Sequence, residues 1–352
     1  MINIYQTQFM LPVVRAILPR KTFLSSRYFT PGVIFPTDDV LCEYKDGNKK
    51  IAPFISPRVG GITSYRDGYR TMRFKPAMVG EKRPLTIDDL NKKGFGENLF
   101  SNMTPAQRQA QYLSQDLAEM TEHIIGTEEE MAAQCILNNA ITEKVYHGEI
   151  GSEDYTNWEI SYFEGGSNPA SYTPSAVWST TSDKILDDLY AMAQMLLEKG
   201  LPCTDFVCAP DVAAVMIKNE TIQKFLDNKR YELGRVAPEV QQTGATYICT
   251  LNAYGVSLDV YSYPEQYEDE NGVMKSYIPS GYGFVSAPGA GEVIYGAVTQ
   301  LEQGTGTFAT YAEKRVPKFI ADPQNEVRTI QLVSRPLFKP VRMNPWISAK
   351  LL

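Results

Sequence analysis

Two patterns of apolar positions divide this chain. In "ISPRVGGITSYRDGYRTMRFKPAMVGEKRPLT", residues 55–86, apolar and polar positions alternate with period two, and Asp67-Gly68 is a favoured hairpin turn. Around that turn the alternation predicts a long two-stranded ribbon, with Tyr69, Thr71 and Arg73 on one face and Arg70, Met72 and Phe74 on the other. A ribbon of two strands is marginal alone, so it must lie against something else. Further on the period changes to 3.6. Leu113, Leu117, Met120 and Ile124 follow at spacings of four, three and four, which places them on one helical stripe. Thr104 is suited to N-cap, Pro105 to the first turn and Gln107 to a capping box. Helical texture continues through Met131, Cys135, Asn138 and Ile141, so the spacing predicts a spine helix over about 104–144, with Gly126 as a bend. Its Glu128-Glu129-Glu130 run is expected to face water or to pair with basic residues of another copy.

The flanking segments read differently. Residues 1–37 contain no acid and carry prolines at 12, 19, 31 and 36, which predicts an extended arm with at most a short helix. Its apolar residues, among them Phe9, Phe23 and Phe29, need a surface, either on another copy or on the chain's own domain. A mixed lobe is expected from about Thr180. There Thr180 and Asp183 suggest a capping box, and Ile185, Leu189, Met192 and Leu196 an apolar helix face. "CTDFVCAPDVAAVMIKN" reads as a buried strand and a proline-led helix, and Asn271-Gly272 as a hairpin turn. The tail "NEVRTIQLVSRPLF" alternates again and is expected to return to the spine.

Charge sharpens the question posed by the hairpin. The net charge is -7, yet residues 1–83 hold 14 basic and 6 acidic residues, leaving 20 basic and 35 acidic for the remainder. Within 55–86, Arg58, Arg66, Arg70, Arg73, Lys75, Lys82 and Arg83 face only Asp67 and Glu81. Aromatic residues interleaved with arginine suit base stacking, a substrate site or a subunit contact. The acidic whole argues against a free nucleic-acid binder, and the asymmetry suits contact between unlike regions of neighbouring copies. No apolar run of about 20 residues is present to span a membrane. The start lacks the pattern of a signal peptide, so a cytoplasmic origin is the expectation.

Catalytic chemistry is sparse. His123 and His147 have no cysteine or carboxylate pattern for zinc, and the five cysteines are odd in number and spread out, as expected of small buried hydrophobes. "APGAGEV" lacks the lysine and hydroxyl of a phosphate loop, and Asp187 and Asp188 point in different directions on a helix. No catalytic residue, cofactor site or metal site is nominated, and the chain is not expected to be an enzyme.

The order of arm, basic hairpin, spine, mixed lobe and returning strand resembles the phage major capsid protein E family, the lambda-like major capsid proteins. The resemblance lies in "YFTPGVIFPTDDVLCEYKDG", "APFISPRVGGITSYRDGYRTMRFKPAMVGEKRPLT", "NGVMKSYIPSGYGFVSAPG" and "ADPQNEVRTIQLVSRPLFKPV", and with the element order it covers most of the chain. It implies an α+β chain with the Hong Kong 97 capsid fold. The implied parts are an N-terminal arm (1–37), an E-loop region (38–90), a peripheral domain holding the spine (91–178), an axial domain (179–300) and a returning peripheral segment (301–352). It further implies hexamers and pentamers in an icosahedral tailed-phage head around double-stranded DNA, assembled in the host cytoplasm. Scaffold, portal and a trimeric decoration protein are the implied partners, the scaffold as a separate protein. Some relatives crosslink a hairpin lysine to an asparagine, but neither Lys75 nor Lys82 is assigned that role. On this reading Arg58, Tyr65, Arg66, Tyr69, Arg70, Arg73 and Phe74 are subunit-contact candidates. Arg15, Arg20, Lys21 and Arg27 of the arm are candidates for sequence-independent contact with DNA. The alternatives are a nonviral nucleic-acid-binding scaffold and an enzyme of unrecognised class.

Overall fold

The 3.6-residue stripe forms one unbroken helix, Pro105–Asn138, in the computed structural model. Residues 7–17, 22–37, 39–44, 68–91, 104–148, 152–227, 236–240, 243–303 and 306–352 are described. The Thr104 hydroxyl accepts from the Gln107 amide at 3.4 Å, and the Gln107 side chain accepts from the Thr104 amide at 2.9 Å, closing the capping box. At 1.5 Å per residue the helix is about 51 Å long. It stops short of the expected 144 because Asn139 takes the left-handed conformation, φ 52°, that terminates helices. The Asn139 side-chain Nδ2 then donates to Asn344 Oδ1 at 2.6 Å, fixing the turn from which strand Ala140–Tyr146 departs. No break occurs at Gly126, whose carbonyl accepts from the Tyr277 hydroxyl at 3.4 Å.

Leu117, Met120 and Ile124 are buried on this helix and pack with Ile330, Leu332 and Val14, with Leu113 at the margin. Ile330 and Leu332 belong to strand Val327–Ser334, the central strand of a three-stranded sheet between Val316–Asp322 and Val79–Leu85. The tail and the far limb of the basic segment therefore pair with each other, Ile330 opposite Arg83, under the spine. Arg83 reaches back to Asp116 at 3.3 Å and to Glu119 on the helix.

The arm corrects its expectation. It contains two helices, Thr7–Ala16 and Phe23–Tyr28, and strand Phe29–Phe35, which runs parallel to Gly291–Gly296. Phe23, Leu24, Tyr28 and Phe29 are buried in the chain's own main core. Pro12 is tolerated within the first helix, and local propensity yields here to the apolar face that Met10 and Val14 bury. The parallel strands approach closely at Gly291, where any Cβ would collide with the Phe29 ring.

The acidic run on the spine corrects a second expectation. Beyond Ile124 the helix is enclosed on most sides, with Ile125, Met131, Ala132, Cys135 and Ile136 all buried. Positions 128 and 129 consequently have no solvent face. Glu129 is 0% exposed and accepts from the amides of Leu24 at 2.7 Å and Ser25 at 2.9 Å and from the Tyr263 hydroxyl at 2.9 Å. Glu128 meets Arg315 at 2.8 Å; burial raises its pKa and the guanidinium opposes that rise. These carboxylates tie arm, spine and tail into one body, because a buried charge is tolerated only where partners satisfy it.

The mixed lobe is a seven-stranded sheet flanked by helices. Its order is Ser171–Tyr172, Ile347–Lys350, Tyr282–Ser286, Asp205–Cys208, Val256–Ser262, Thr246–Ala253, Val236–Val240. Two of these strands come from outside 179–300, and Gly291–Gly296 leaves the lobe for a sheet with Phe29–Phe35 and Pro336–Pro340. The expected lobe boundaries are thus crossed by the chain's last residues. The flanking helix begins at Ile185 without a side-chain cap, so the Thr180 box does not form, yet Ile185, Leu189, Met192 and Leu196 are buried as their spacing requires. All five cysteines are buried and unpaired.

Candidate assembly surface

The near part of the basic hairpin is strand Arg70–Phe74 paired antiparallel with Val40–Tyr44, Phe74 opposite Val40 and Arg70 opposite Tyr44. The far limb instead turns away into the spine sheet, so the ribbon pairs with residues before it rather than folding only on itself. Alternation then sorts the side chains. Cys42, Tyr44 and Phe74 point into the core, while Leu41, Glu43, Thr71 and Arg73 face outward.

This sorting divides the contact candidates. Tyr69 is 65% exposed, and Arg70 and Arg73 are exposed with single carboxylate neighbours, Glu164 at 3.8 Å and Asp39. Exposed pairs of this kind contribute little and are readily exchanged for better partners. Phe74 differs: it is 6% exposed and packs edge-on against Tyr162 at 5.2 Å, so its apolar surface is already covered by its own chain. The Phe74 assignment is corrected to a core role. Arg58, Tyr65 and Arg66 lie outside the described residues. The strand is held at its end by Trp158, whose indole nitrogen donates to the Lys75 carbonyl at 2.8 Å.

Among the proposed DNA-contact residues, Arg27 is otherwise engaged. Its Nε donates at 2.6 Å to Asp205, itself 1% exposed, and its guanidinium lies 4.7 Å from the Tyr261 ring centroid. Arg15 pairs with Glu313, and Arg20 and Lys21 lie outside the described residues. A basic residue beside aromatics in the arm, FLSSRYF, looks the same whether it faces phosphate or a buried carboxylate 178 residues away. The partner is supplied by topology alone.

Beside the hairpin, strands Ala140–Tyr146 and Tyr155–Ser161 form a second ribbon that meets a third, Gln266–Glu268 with Met274–Ser276. At their junction Glu143 accepts from Gln134 at 2.7 Å and Glu130 accepts from Tyr267 at 2.6 Å. Burial, and next the charge of Glu130, push the Glu143 carboxyl up to about 8 from an ordinary value of 4.5. Between those two pH values the folded chain holds a proton that the unfolded chain has lost, so stability declines as pH rises through the window. Glu143→Gln keeps the acceptor for Gln134 and removes the titration. Urea unfolding should find it more stable than the parent by about 1–2 kcal/mol at pH 8, with no gain at pH 4; this is below the full linkage value because water screens a partly exposed group. Equal stability at both pH values would refute the assignment.

Among the described residues no group of three or more His, Cys, Asp or Glu side chains is arranged to hold a metal ion, and no helix is long and apolar enough to cross a membrane. His123 Nδ1 lies 2.8 Å from Glu81 and His147 Nε2 2.7 Å from Thr156, both on the surface. Asp187 accepts from Tyr254 and Asp188 from Tyr172 and Trp178, on different sides of their helix.

Comparison with known proteins finds relatives along nearly the whole chain. The model of the family described as phage major capsid protein E matches residues 6–351. The major capsid protein of Enterobacteria phage P21 is 21% identical over 313 residues, 86% of this chain and 87% of the relative. That of Escherichia phage lambda is 22% identical over 329 residues, 92% of each chain. Among solved structures, a prophage protein of Escherichia coli CFT073 assigned as a capsid protein superposes with TM-score 0.68 at 14% identity, covering 99% of both chains. The capsid of Ralstonia phage GP4 gives TM-score 0.50 at 9% identity, over 95% of this chain and 92% of that one.

Proposed function

Because this chain belongs to the phage major capsid protein E family, with the Hong Kong 97 fold and a capsid-forming role, we propose that it builds the hexamers and pentamers of an icosahedral tailed-phage head. The observation that carries this reading is a family match running through arm, hairpin, spine and lobe alike, 6–351. The molecule's build supports it. A rigid body, tied by Glu128, Glu129 and Asp205, carries a ribbon with exposed arginines and an exposed tyrosine. Such a ribbon supplies a repeated, modest contact, and a closed lattice multiplies modest contacts into a stable shell. Charge sets the register of neighbours, and apolar burial at roughly 25 cal/mol per Å² supplies much of the cohesion.

In that role the shell is assembled in the host cytoplasm on a scaffold and a portal, takes a trimeric decoration protein, and encloses double-stranded DNA without reading its sequence. Electron microscopy of the purified chain in an assembly reaction tests the reading. Closed shells of uniform size are expected; a chain that stays monomeric under all assembly conditions overturns it. DNA binding offers a second check. Affinity of subunits and shell fragments should fall steeply with salt, by a log–log slope near -0.9 per phosphate neutralised, and vary little among unrelated duplexes of one length. A preference of about a hundredfold for one sequence at physiological salt contradicts a container role.

A further inference from the structure

The end of the 140–161 ribbon distant from the basic hairpin presents apolar groups to water. Tyr146 and Tyr155 are register partners there, with ring centroids 5.9 Å apart. Lys144 joins this end to the next ribbon, its Nζ 5.0 Å from the Tyr155 ring centroid and 3.3 Å from Glu270. The Lys144–Glu270 pair brings the ends of the two ribbons together. Tyr155 is 41%, Val273 54% and Met274 59% exposed at these ends. Single exposed apolar residues are ordinary, but an aromatic, a valine and a methionine at two adjoining ribbon ends mark a place that something covers.

The surroundings specify what covers it. Residues 140–164 and 264–276 together hold ten acidic residues and two lysines, with Glu153, Asp154 and Glu268 exposed. The chain's own basic segment, 58–75, holds five basic residues and one acidic. It also carries exposed apolar side chains beside its charge, Tyr69 and, on the paired strand, Leu41 at 67%. The described part of this hairpin meets the same ribbon at Trp158, the middle of strand Tyr155–Ser161, and reaches Glu164 just past that strand's end. Three residues at about 3.3 Å each set Trp158 roughly 10 Å from Tyr155 along the strand. Two unlike complementary surfaces on one chain make a head-to-tail contact, and such contacts form rings where the rotation between neighbours closes.

We infer that the ribbon ends bearing Tyr155, Val273 and Met274 are the receptor on which a second copy lays its basic hairpin. The inference rests on the capsid reading above and names the neighbour's side of that contact. Leu41 and Tyr69 of one copy bury against Tyr155, Val273 and Met274 of the next, while Arg70 and Arg73 exchange Glu164 and Asp39 for the carboxylates at 153, 154 and 268. Desolvation by the apolar pairs strengthens the charge pairs and fixes their register.

Charge reversal in the full-length chain tests the assignment. The receptor variant Glu153→Lys/Asp154→Lys/Glu268→Lys alters only exposed side chains, so its circular dichroism and thermal unfolding should match the parent. Its yield of closed shells should fall at least tenfold. Adding Arg66→Glu/Arg70→Glu/Arg73→Glu to the same chain should restore shells, because both sides of the contact are then reversed. Independently, a photo-crosslinker at position 274 should give an inter-chain adduct mapping to residues 41–75. Parental shell yield from the receptor variant, or an adduct mapping elsewhere, overturns the receptor. If the hairpin variant alone fails to assemble while the receptor variant succeeds, the hairpin role survives without this partner. A chain that forms no shells in any version overturns the capsid reading beneath both.

Discussion

Leu117→Asp should leave the chain unable to fold at 37 °C. Leu117 is 0% exposed and sits mid-stripe on the spine, against Ile330 and Leu332 of the tail. Truncating a leucine in such a site costs about 2–5 kcal/mol, and a carboxylate without a partner adds the cost of burying its charge or protonating it. Whole domains are stable by only about 5–15 kcal/mol, so the sum approaches the total. The neighbouring carboxylates of the helix surface, Asp116 and Glu119, are already occupied by Arg83 and would only repel the newcomer. Soluble expression and urea unfolding provide the measurement. The same change at Leu113, only partly buried at the stripe's margin, should be much milder. Equal behaviour of the two variants would mean that the stripe is not what holds spine to tail.

The second large effect is on assembly. Arg66→Glu/Arg70→Glu/Arg73→Glu should fold normally and form no closed shells. Arg70 and Arg73 have side chains 53% and 71% exposed, each with one exposed or partly exposed carboxylate neighbour, so their reversal leaves the monomer core untouched. Three charges reverse sign on each hairpin, a change of six units, and like charges at a contact disfavour it by several kcal/mol. In a shell every subunit repeats that penalty, which turns a graded loss into an all-or-none one. Negative-stain microscopy of a matched assembly reaction reads the result. Shells of normal size and number would remove the hairpin from the contact. A milder variant, Arg73→Ala, should assemble with raised salt sensitivity rather than fail.

The contrast between these two experiments follows how the chain encodes its parts. The spine stripe, the capping box at Thr104 and the buried face from Ile185 to Leu196 are visible in sequence, because a helix brings positions three and four apart onto one face without help from the rest of the molecule. The hairpin's inside and outside are visible for a similar reason, since alternation assigns Phe74 and Arg73 to opposite faces. Alternation does not say which face is covered by the chain itself. Phe74 was open to assignment as a contact residue until Tyr162 and Cys42 filled the space beside it.

Long-range pairing decided the rest. Nothing near Glu129 in sequence announces that its carboxylate will receive the amides of Leu24 and Ser25, more than a hundred residues earlier, so three consecutive glutamates read as a solvated face. Arg27 reads as a free cation for the same reason, because Asp205 comes to it through the fold and not through spacing. The chain's final strand, Ile347–Lys350, enters the lobe sheet between Ser171–Tyr172 and Tyr282–Ser286, a placement that no local propensity encodes. Periodicity and capping are short-range properties and are fixed by neighbours along the chain. Which buried charge meets which partner depends on topology, because desolvation makes an unpaired charge prohibitive only once the surrounding elements have closed over it.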